Sequence, residues 1–369
     1  MLKRVRIQNF RSLDIDVELD PITVLIGRSG TGKSNFLHAL RWLRETLQNG
    51  NLGVARGDRN LSASAKVPYS LRFELTFSVP GFKDDFRFVA EWVFASNGTT
   101  REELLLGEQI IYKREGSKLV HGPKTASPSP DIGSHFALGR LTGSREATRA
   151  FAFLTQSLGY YSFSEHILEK GDKAHSDDDL GGNALVAINA ITNDLEHPDN
   201  WYSIIDALRT LNPSVYSVEL NLPQRNSVTV THMISDTSLQ MQLPEESEGF
   251  RRFLAHLVAL YQSPRKQALL FEEPEKGIHP GALATLANEF RRCPEEGRGQ
   301  VILTTHSPQL LDHFDIANIR VVEIENYVTR IRPVSEEQLE AVKEHLLEPG
   351  ELLTVNLAQG EPVGSAEAQ

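Results

Sequence analysis

Gly27-Arg28-Ser29-Gly30-Thr31-Gly32-Lys33-Ser34 stands between the apolar run Ile22 to Ile26 and a segment, Ser34 to Gln48, whose apolar residues recur at helical spacing. The eight residues fit the phosphate-binding P-loop pattern G-x-x-x-x-G-K-[ST]. The run before them reads as a buried parallel strand, and Phe36, Leu37, Leu40, Leu43 and Leu47 after them share one helical face. Strand, glycine loop and helix is the context in which the pattern has a mechanism. Gly27, Gly30 and Gly32 permit backbone angles that turn several N–H groups inward, so that these and the helix N-terminus cradle a polyanion. Lys33 would reach the outer phosphates, and the Ser34 hydroxyl would bind Mg²⁺. A glycine-rich turn before an ordinary helix is the plainer reading. A chance match has odds of roughly one in a hundred in a chain of average composition, and the flanking elements lower them. The stretch points to an α/β nucleotide-binding fold.

Around this centre lie 369 residues, 40% of them hydrophobic, enough for one large domain or two. A single cysteine, Cys293, excludes a disulfide framework, argues against a zinc site and favours a cytoplasmic location. Met1-Leu2-Lys3-Arg4-Val5-Arg6 lacks the apolar core of a signal peptide, and no apolar run approaches the ~18 residues of a membrane span. The expectation is a soluble protein. A formal charge of −11 argues against a surface that coats nucleic acid throughout. Arg41, Arg44, Arg56 and Arg59 could form a local basic patch, with a solvated helix face as the plainer reading.

Outward from the P-loop, Leu2, Val5 and Ile7 mark a first strand, followed by Asn9-Phe10-Arg11-Ser12 and a second strand ending near Leu19. Three strand-like runs, Tyr69 to Val79, Phe86 to Ala95 and Leu104 to Arg114, follow the P-loop helix as an antiparallel insertion, with Asn97-Gly98 as a hairpin signal. Residues 116 to 136 read as a Pro- and Ser-rich loop, and Ser144 to Leu158 as a helix. The carboxylates of Asp177-Asp178-Asp179 invite a metal reading, but three consecutive residues converge poorly on one ion, and a solvated helix cap is the better expectation. Helices at Asn183 to Leu195 and Trp201 to Leu211 precede a three-strand meander through Leu243. Phe250 to Tyr261 reads as a helix with one apolar side, and the C-terminal part as α/β, closing with a hairpin, a charged helix from Ser335 and a polar tail.

Ala268-Leu269-Leu270-Phe271-Glu272-Glu273 is an apolar strand delivering two carboxylates at its C-terminal end, where ligands bind in open α/β sheets. Glu272 would face the Mg²⁺ shell and Glu273 would polarise the attacking water as general base. Val301-Ile302-Leu303-Thr304-Thr305-His306 repeats the arrangement, with His306 placed to donate to a terminal phosphate. Ser247-Glu248-Gly249 opens the Phe250 helix. A hydroxyl, a glycine and a helix N-terminus form an anion site, although an N-cap is the default for such a serine. Two phosphate-binding helix ends in one chain suggest that two copies sandwich two nucleotides.

Taken together these pieces resemble the soluble ATP-binding-cassette ATPases, the branch with RecF, the structural-maintenance-of-chromosomes (SMC) heads and the AAA_21-type ATPases. Asn9-Phe10-Arg11-Ser12, the P-loop with Asn35 after it, Ser247-Glu248-Gly249, the strand through Glu275, Gly277-Ile278-His279-Pro280 and His306 occur in the family's order. The resemblance implies a head at 1–334, with a nucleotide-binding lobe (1–48 and 264–334) built on a mostly parallel central sheet. It further implies an inserted antiparallel sheet (67–120), a helical, signature-bearing region (137–262) and a C-terminal helix and tail (335–369). It implies ATP and Mg²⁺ as cofactors, Arg11 on the phosphates, and Ser247 with Gly249 acting in trans in an ATP-induced homodimer. The implied output is DNA or a separately encoded effector, in repair or anti-phage defence. Ser29 replaces the usual Asn, and Glu272 the usual Asp, which would slow turnover more than binding. Gln109 and Gln156 are both candidates for the family's Q-loop glutamine. A transporter subunit is the second expectation. A fused nuclease is a third, against which stand the 63 residues after His306.

Overall fold

A computed structural model describes residues 1–49, 69–94, 99–116, 118–121, 138, 143–168, 179–180, 184–221, 227–355 and 357–360. In chain order the main elements are β1 (Leu2–Phe10), β2 (Leu13–Glu18), β3 (Ile22–Ile26), α1 (Lys33–Asn49), β4 (Tyr69–Phe77), β5 (Phe86–Phe94), β6 (Thr99–Leu106), β7 (Gln109–Glu115), β8 (Lys118–His121) and α2 (Arg145–Gln156). Then come β9 (Leu158–Tyr161), α3 (Ala184–Thr192), α4 (Asn200–Leu211), β10 (Val215–Asn221), β11 (Ser227–Ile234), β12 (Thr237–Gln242), α5 (Glu248–Tyr261), β13 (Ala268–Glu272), α6 (Leu283–Glu295), β14 (Gln300–Thr304) and α7 (Pro308–Leu311). The last are β15 (Ile319–Glu325), β16 (Val328–Pro333) and α8 (Glu336–Lys343). Two compact units divide the chain: Met1–Leu158 with Ile316–Leu347 and Leu357–Gln369, and Gly159–Asp315 with Glu348–Asn356.

In the first unit the strands run β8-β7-β6-β5-β4-β1-β2-β16-β15-β3. Alternation builds the start of this sheet: Leu13, Ile15 and Val17 of β2 are buried while the residues between them reach towards solvent. The parallel pairs are β3 with β15 and β2 with β16. The inserted strands are not a separate layer, because β4 pairs antiparallel with β1 and so extends the same sheet. The run expected as one strand from Leu104 to Arg114 is two, β6 and β7, because Gly107 turns the chain at φ +56°. The Asn97-Gly98 signal lies outside the described residues. Of the loop expected over 116–136, residues 118–121 instead form β8, paired with β7, while 117 and 122–136 lie outside the described residues. Helix α1 is fixed over this sheet by rings: Trp42 stacks on Phe73 at 5.7 Å, with Phe10 at 5.7 Å and Trp92 at 5.6 Å. Arg44, expected in a solvated or nucleic-acid-binding face, is buried instead and donates to the Leu158 carbonyl at 3.0 Å. Arg41 pairs with Glu45 one turn on, whereas Arg56 and Arg59 lie outside the described residues.

In the second unit β13 lies between β14 and β9. β13 and β14 pair in parallel, Phe271 opposite Leu303 and Glu272 opposite Thr304. Helix α5 departs from the one-sided pattern expected of it, for every residue from Phe250 to Tyr261 is buried, Arg251, Arg252 and His256 included. These polar groups are accommodated individually. Arg251 donates to the carbonyls of Pro244 and Glu165, each at 3.1 Å. His256 Nδ1 donates to Arg252 O at 2.7 Å while its ring stacks on Phe271 and meets Phe163 and Phe290 edge-on. Burial pulls the pKa of His256 down to about 3, so the ring is neutral. Strands β10, β11 and β12 form the expected antiparallel meander. Of the acidic triplet only Asp179 lies among the described residues, and it accepts the Tyr160 N–H at 2.8 Å.

Candidate nucleotide site

The P-loop is closed by its own lysine. Lys33 is buried and its ammonium donates to Gly27 O at 2.8 Å and Arg28 O at 3.0 Å, while the Thr31 hydroxyl donates to the same Arg28 carbonyl at 2.9 Å. Arg28, Ser29 and Gly30 form the exposed outer edge, and Ser34 follows half-buried in the first turn of α1. Two of the glycines are sterically required. A Cβ on Gly27 (φ +149°) would stand 2.2 Å from Val322 O, and one on Gly32 (φ +102°) 2.4 Å from Thr329 Oγ1. The donor set fits a polyphosphate: a helix N-terminus, an inward-turned glycine backbone and an ammonium resting on two carbonyls that a phosphate oxygen would replace.

Side chains outside the motif lock this loop. Thr329 Oγ1 donates to Thr31 O at 2.8 Å, shares a 2.7 Å hydrogen bond with Ser12 Oγ, and Thr329 N donates to Ser12 O at 2.7 Å. Asn35 Nδ2 donates to Ser12 Oγ at 3.0 Å. Arg11, predicted from the resemblance, stands here: one guanidinium nitrogen donates to Asn35 Oδ1 and to His38 Nδ1, each at 3.0 Å. Its backbone is left-handed (φ +50°), as is that of Asn9 (φ +63°), so the turn between β1 and β2 is strained to present it. Ser12 belongs to the Asn9-Phe10-Arg11-Ser12 stretch, whereas Thr329 and His38 had no sequence signal of their own. Thr329 is nearly 300 residues from Thr31, and only strand pairing brings it near.

In the second unit Glu272 ends β13, Glu273 follows it, and His306 follows the end of β14. Glu272 accepts a hydrogen bond from the buried Tyr160 hydroxyl, a partner that the sequence did not disclose. Glu273 follows in the left-handed region (φ +46°), its N–H shared between Thr304 O at 3.1 Å and Thr304 Oγ1 at 3.2 Å. Glu273 Oε1 lies 3.7 Å from His306 Nε2, and Glu273 Oε2 lies 2.6 Å from Lys276 Nζ. Glu275 accepts the His306 N–H at 2.8 Å. Burial raises its carboxyl pKa, a shift that this bond and one with Thr305 oppose.

Ser247 caps α5, its hydroxyl accepting the Phe250 N–H at 3.2 Å. The turn below packs on the loop after Glu273: a Cβ on Gly249 would meet Gly277 O at 3.0 Å. Glu248 pairs with Arg252 at 2.8 Å, and Arg252 donates to Lys276 O at 3.1 Å.

A family profile, AAA_21, described as "AAA domain, putative AbiEii toxin, Type IV TA system", matches residues 22–312. The chain is 21% identical over 347 residues to the OLD nuclease of Thermus scotoductus, covering 87% of this chain and 62% of that protein. It is 19% identical over 341 residues to the endonuclease GajA of Bacillus cereus, covering 87% and 57%. It thus spans less than two thirds of the length of these relatives. Among solved structures, an SMC head bound to the C-winged helix domain of ScpA superposes with a TM-score of 0.59 at 12% identity, covering 91% of this chain and 99% of the other. An Smc head with an extended coiled coil bound to the C-terminal domain of ScpA, derived from Pyrococcus furiosus, gives 0.56 at 11% identity, covering 94% and 99%. At these identities the likeness is one of fold, a P-loop ATPase head of SMC type.

Proposed function

The chain belongs to the AAA_21 family of AAA-type ATPase domains, and on that premise we propose that it is an ATP-hydrolysing switch that dimerises when ATP binds. The observation that carries this reading is Lys33, an ammonium held ready on the P-loop carbonyls within a cradle that only glycine fits. Lys33 and the loop N–H groups would hold the phosphates, Arg11 would reach them from the β1–β2 turn, and Asn35 would keep Arg11 in place. Ser34 and Glu272 would hold Mg²⁺, which shields phosphate charge as it develops. Glu273 would accept the proton of the attacking water, and His306 would donate to the terminal phosphate. Ser247 and Gly249, at the N-terminus of α5, would meet the nucleotide bound by a second copy. The cytoplasm is the proposed location, and no described helix is long and apolar enough to cross a membrane.

The experiment separates binding from turnover. Lys33→Ala should lose Mg-ATP binding and with it dimerisation. Glu273→Gln should bind ATP, hydrolyse about 10²–10⁴-fold more slowly, and accumulate as a dimer in light scattering. A Glu273→Gln protein that binds ATP but stays monomeric at high concentration would overturn the dimer. One that hydrolyses at the wild-type rate would remove Glu273 from the chemistry.

The two nuclease relatives favour one output over the others. We infer that the switch governs cleavage of nucleic acid by a nuclease outside the matched portion, a role in keeping with anti-phage defence. Plasmid cleavage in Mg²⁺ or Mn²⁺ by these 369 residues alone would place the nuclease within them and refute that division.

A further inference from the structure

Glu273 can act as a base only if a carboxylate oxygen is open to the attacking water. Instead, Lys276 Nζ sits 2.6 Å from Oε2 and His306 Nε2 lies 3.7 Å from Oε1, so each oxygen faces a side-chain nitrogen. The pair is closed by a backbone turn, Lys276 N donating to Glu273 O at 3.1 Å, and the turn starts from the strained left-handed residue Glu273. We propose that Lys276 is a brake on Glu273 and that the start of α5 controls its release. This rests on the reading of Glu273 as general base.

Three observations carry it. First, the ammonium engages one carboxylate oxygen directly and neutralises the charge that would draw a proton from water, so Glu273 must shed Lys276 before it can act. Second, the side chain of Lys276 is 65% exposed and that of Glu273 19%. An ion pair so open to water adds little to stability, which makes it a poor strut and an easily broken restraint. Third, the backbone of Lys276 hangs from α5. Its carbonyl accepts from Arg252, Arg252 pairs with Glu248, and Gly277 next to it is wedged so tightly that a Cβ there would come within 2.7 Å of Glu248 Oε1 and 2.8 Å of Arg252 Nε. Glu248 lies between Ser247 and Gly249, the residues proposed to meet the second nucleotide. An anion arriving at this helix end competes with Glu248 for the same positive field and draws on Arg252, and the Lys276 loop moves with Arg252. The nucleotide held by one copy would thereby license hydrolysis in the other.

The test compares ATP turnover of the full chain with Lys276→Met, Lys276→Arg, Glu248→Gln and the Lys276→Met/Glu248→Gln double variant, with Mg-ATP affinity measured alongside. Lys276→Met should raise kcat about two- to fivefold, the factor that release of an exposed ion pair allows, with KM unchanged. Lys276→Arg should keep the wild-type rate. Glu248→Gln should raise kcat as well, and the double variant should be no faster than Lys276→Met, because both changes open one restraint. A Lys276→Met protein that binds ATP and turns over at or below the wild-type rate overturns the brake. Fully multiplicative effects in the double variant overturn its link to α5. A chain that binds no Mg-ATP in any variant overturns the proposed function itself, a result distinguishable from both.

Discussion

The loop after β3 and the loop after β13 both leave a buried strand through backbone in the left-handed region, but they are held by different means. The P-loop is held by its backbone: glycines at 27 and 32, carbonyls gripping Lys33, and Thr329 clamping Thr31 from β16. The loop after β13 is held by side chains: Thr304 on the Glu273 N–H, Lys276 on its carboxylate, Tyr160 on Glu272, and Arg252 beneath Lys276. A cradle for phosphate must be preformed, and rigid backbone does this. A general base, the role proposed for Glu273, must change partners during a cycle, and exchangeable ion pairs allow it.

The foundations differ too, and this provides the largest expected effect. Val24, Leu25 and Ile26 of β3 are fully buried aliphatics, whereas Phe271 of β13 stacks on His256, a buried neutral imidazole. Since its folded pKa lies below the unfolded value of 6.5, at about 3, the folded state binds fewer protons between these limits. Stability is therefore full above pH 6.5 and falls as pH drops through the window, by about 1.4 kcal/mol per pH unit. Denaturant melts from pH 7 to pH 4 should show a loss of about 3 kcal/mol in the wild type that His256→Phe lacks. Parallel curves for the two proteins would mean that His256 is not what makes this side of the molecule acid-sensitive.

Next in size is a contrast inside the P-loop. Gly27→Ala places a methyl against the Val322 carbonyl as well as straining the backbone, and should cost about 2–4 kcal/mol and ATP binding. Gly30→Ala, at φ +80° but with nothing within 4 Å of the new atom, should cost only about 1 kcal/mol. Equal losses in thermal melts would show that the cradle is set by φ alone and not by the approach of β15.

The same division explains what was legible in advance. The P-loop, its strand and its helix are local, so one motif specifies them, and the expected β3 and α1 differ from the observed ones by a residue at most. The places of Glu272, Glu273 and His306 at strand ends were readable because each closes an apolar run. Tyr160, Thr304, Thr329 and Lys276 were not, because their roles depend on which strand or turn lies beside them. Arg44 misled because helical spacing places a residue on a face without saying what covers it. Helix α5 misled likewise: Arg251, Arg252 and His256 look like a solvated face until carbonyls from Glu165, Lys276 and Arg252 itself are found to receive them.

The smallest expected effect asks whether the start of α5 belongs with the preformed cradle or with the exchangeable contacts. Ser247 is an N-cap, and Ser247→Ala should cost about 1 kcal/mol by orphaning the Phe250 N–H. That loss alone cannot separate a cap from a phosphate ligand. Ser247→Asp can, because aspartate caps as well as serine and suits the positive end of the helix dipole, while its charge repels a phosphate. In a Glu273→Gln background it should melt like the parent yet fail to dimerise with Mg-ATP in light scattering. If Ser247→Asp dimerises as the parent does, Ser247 serves α5 alone, and the nucleotide of a second copy must be met elsewhere.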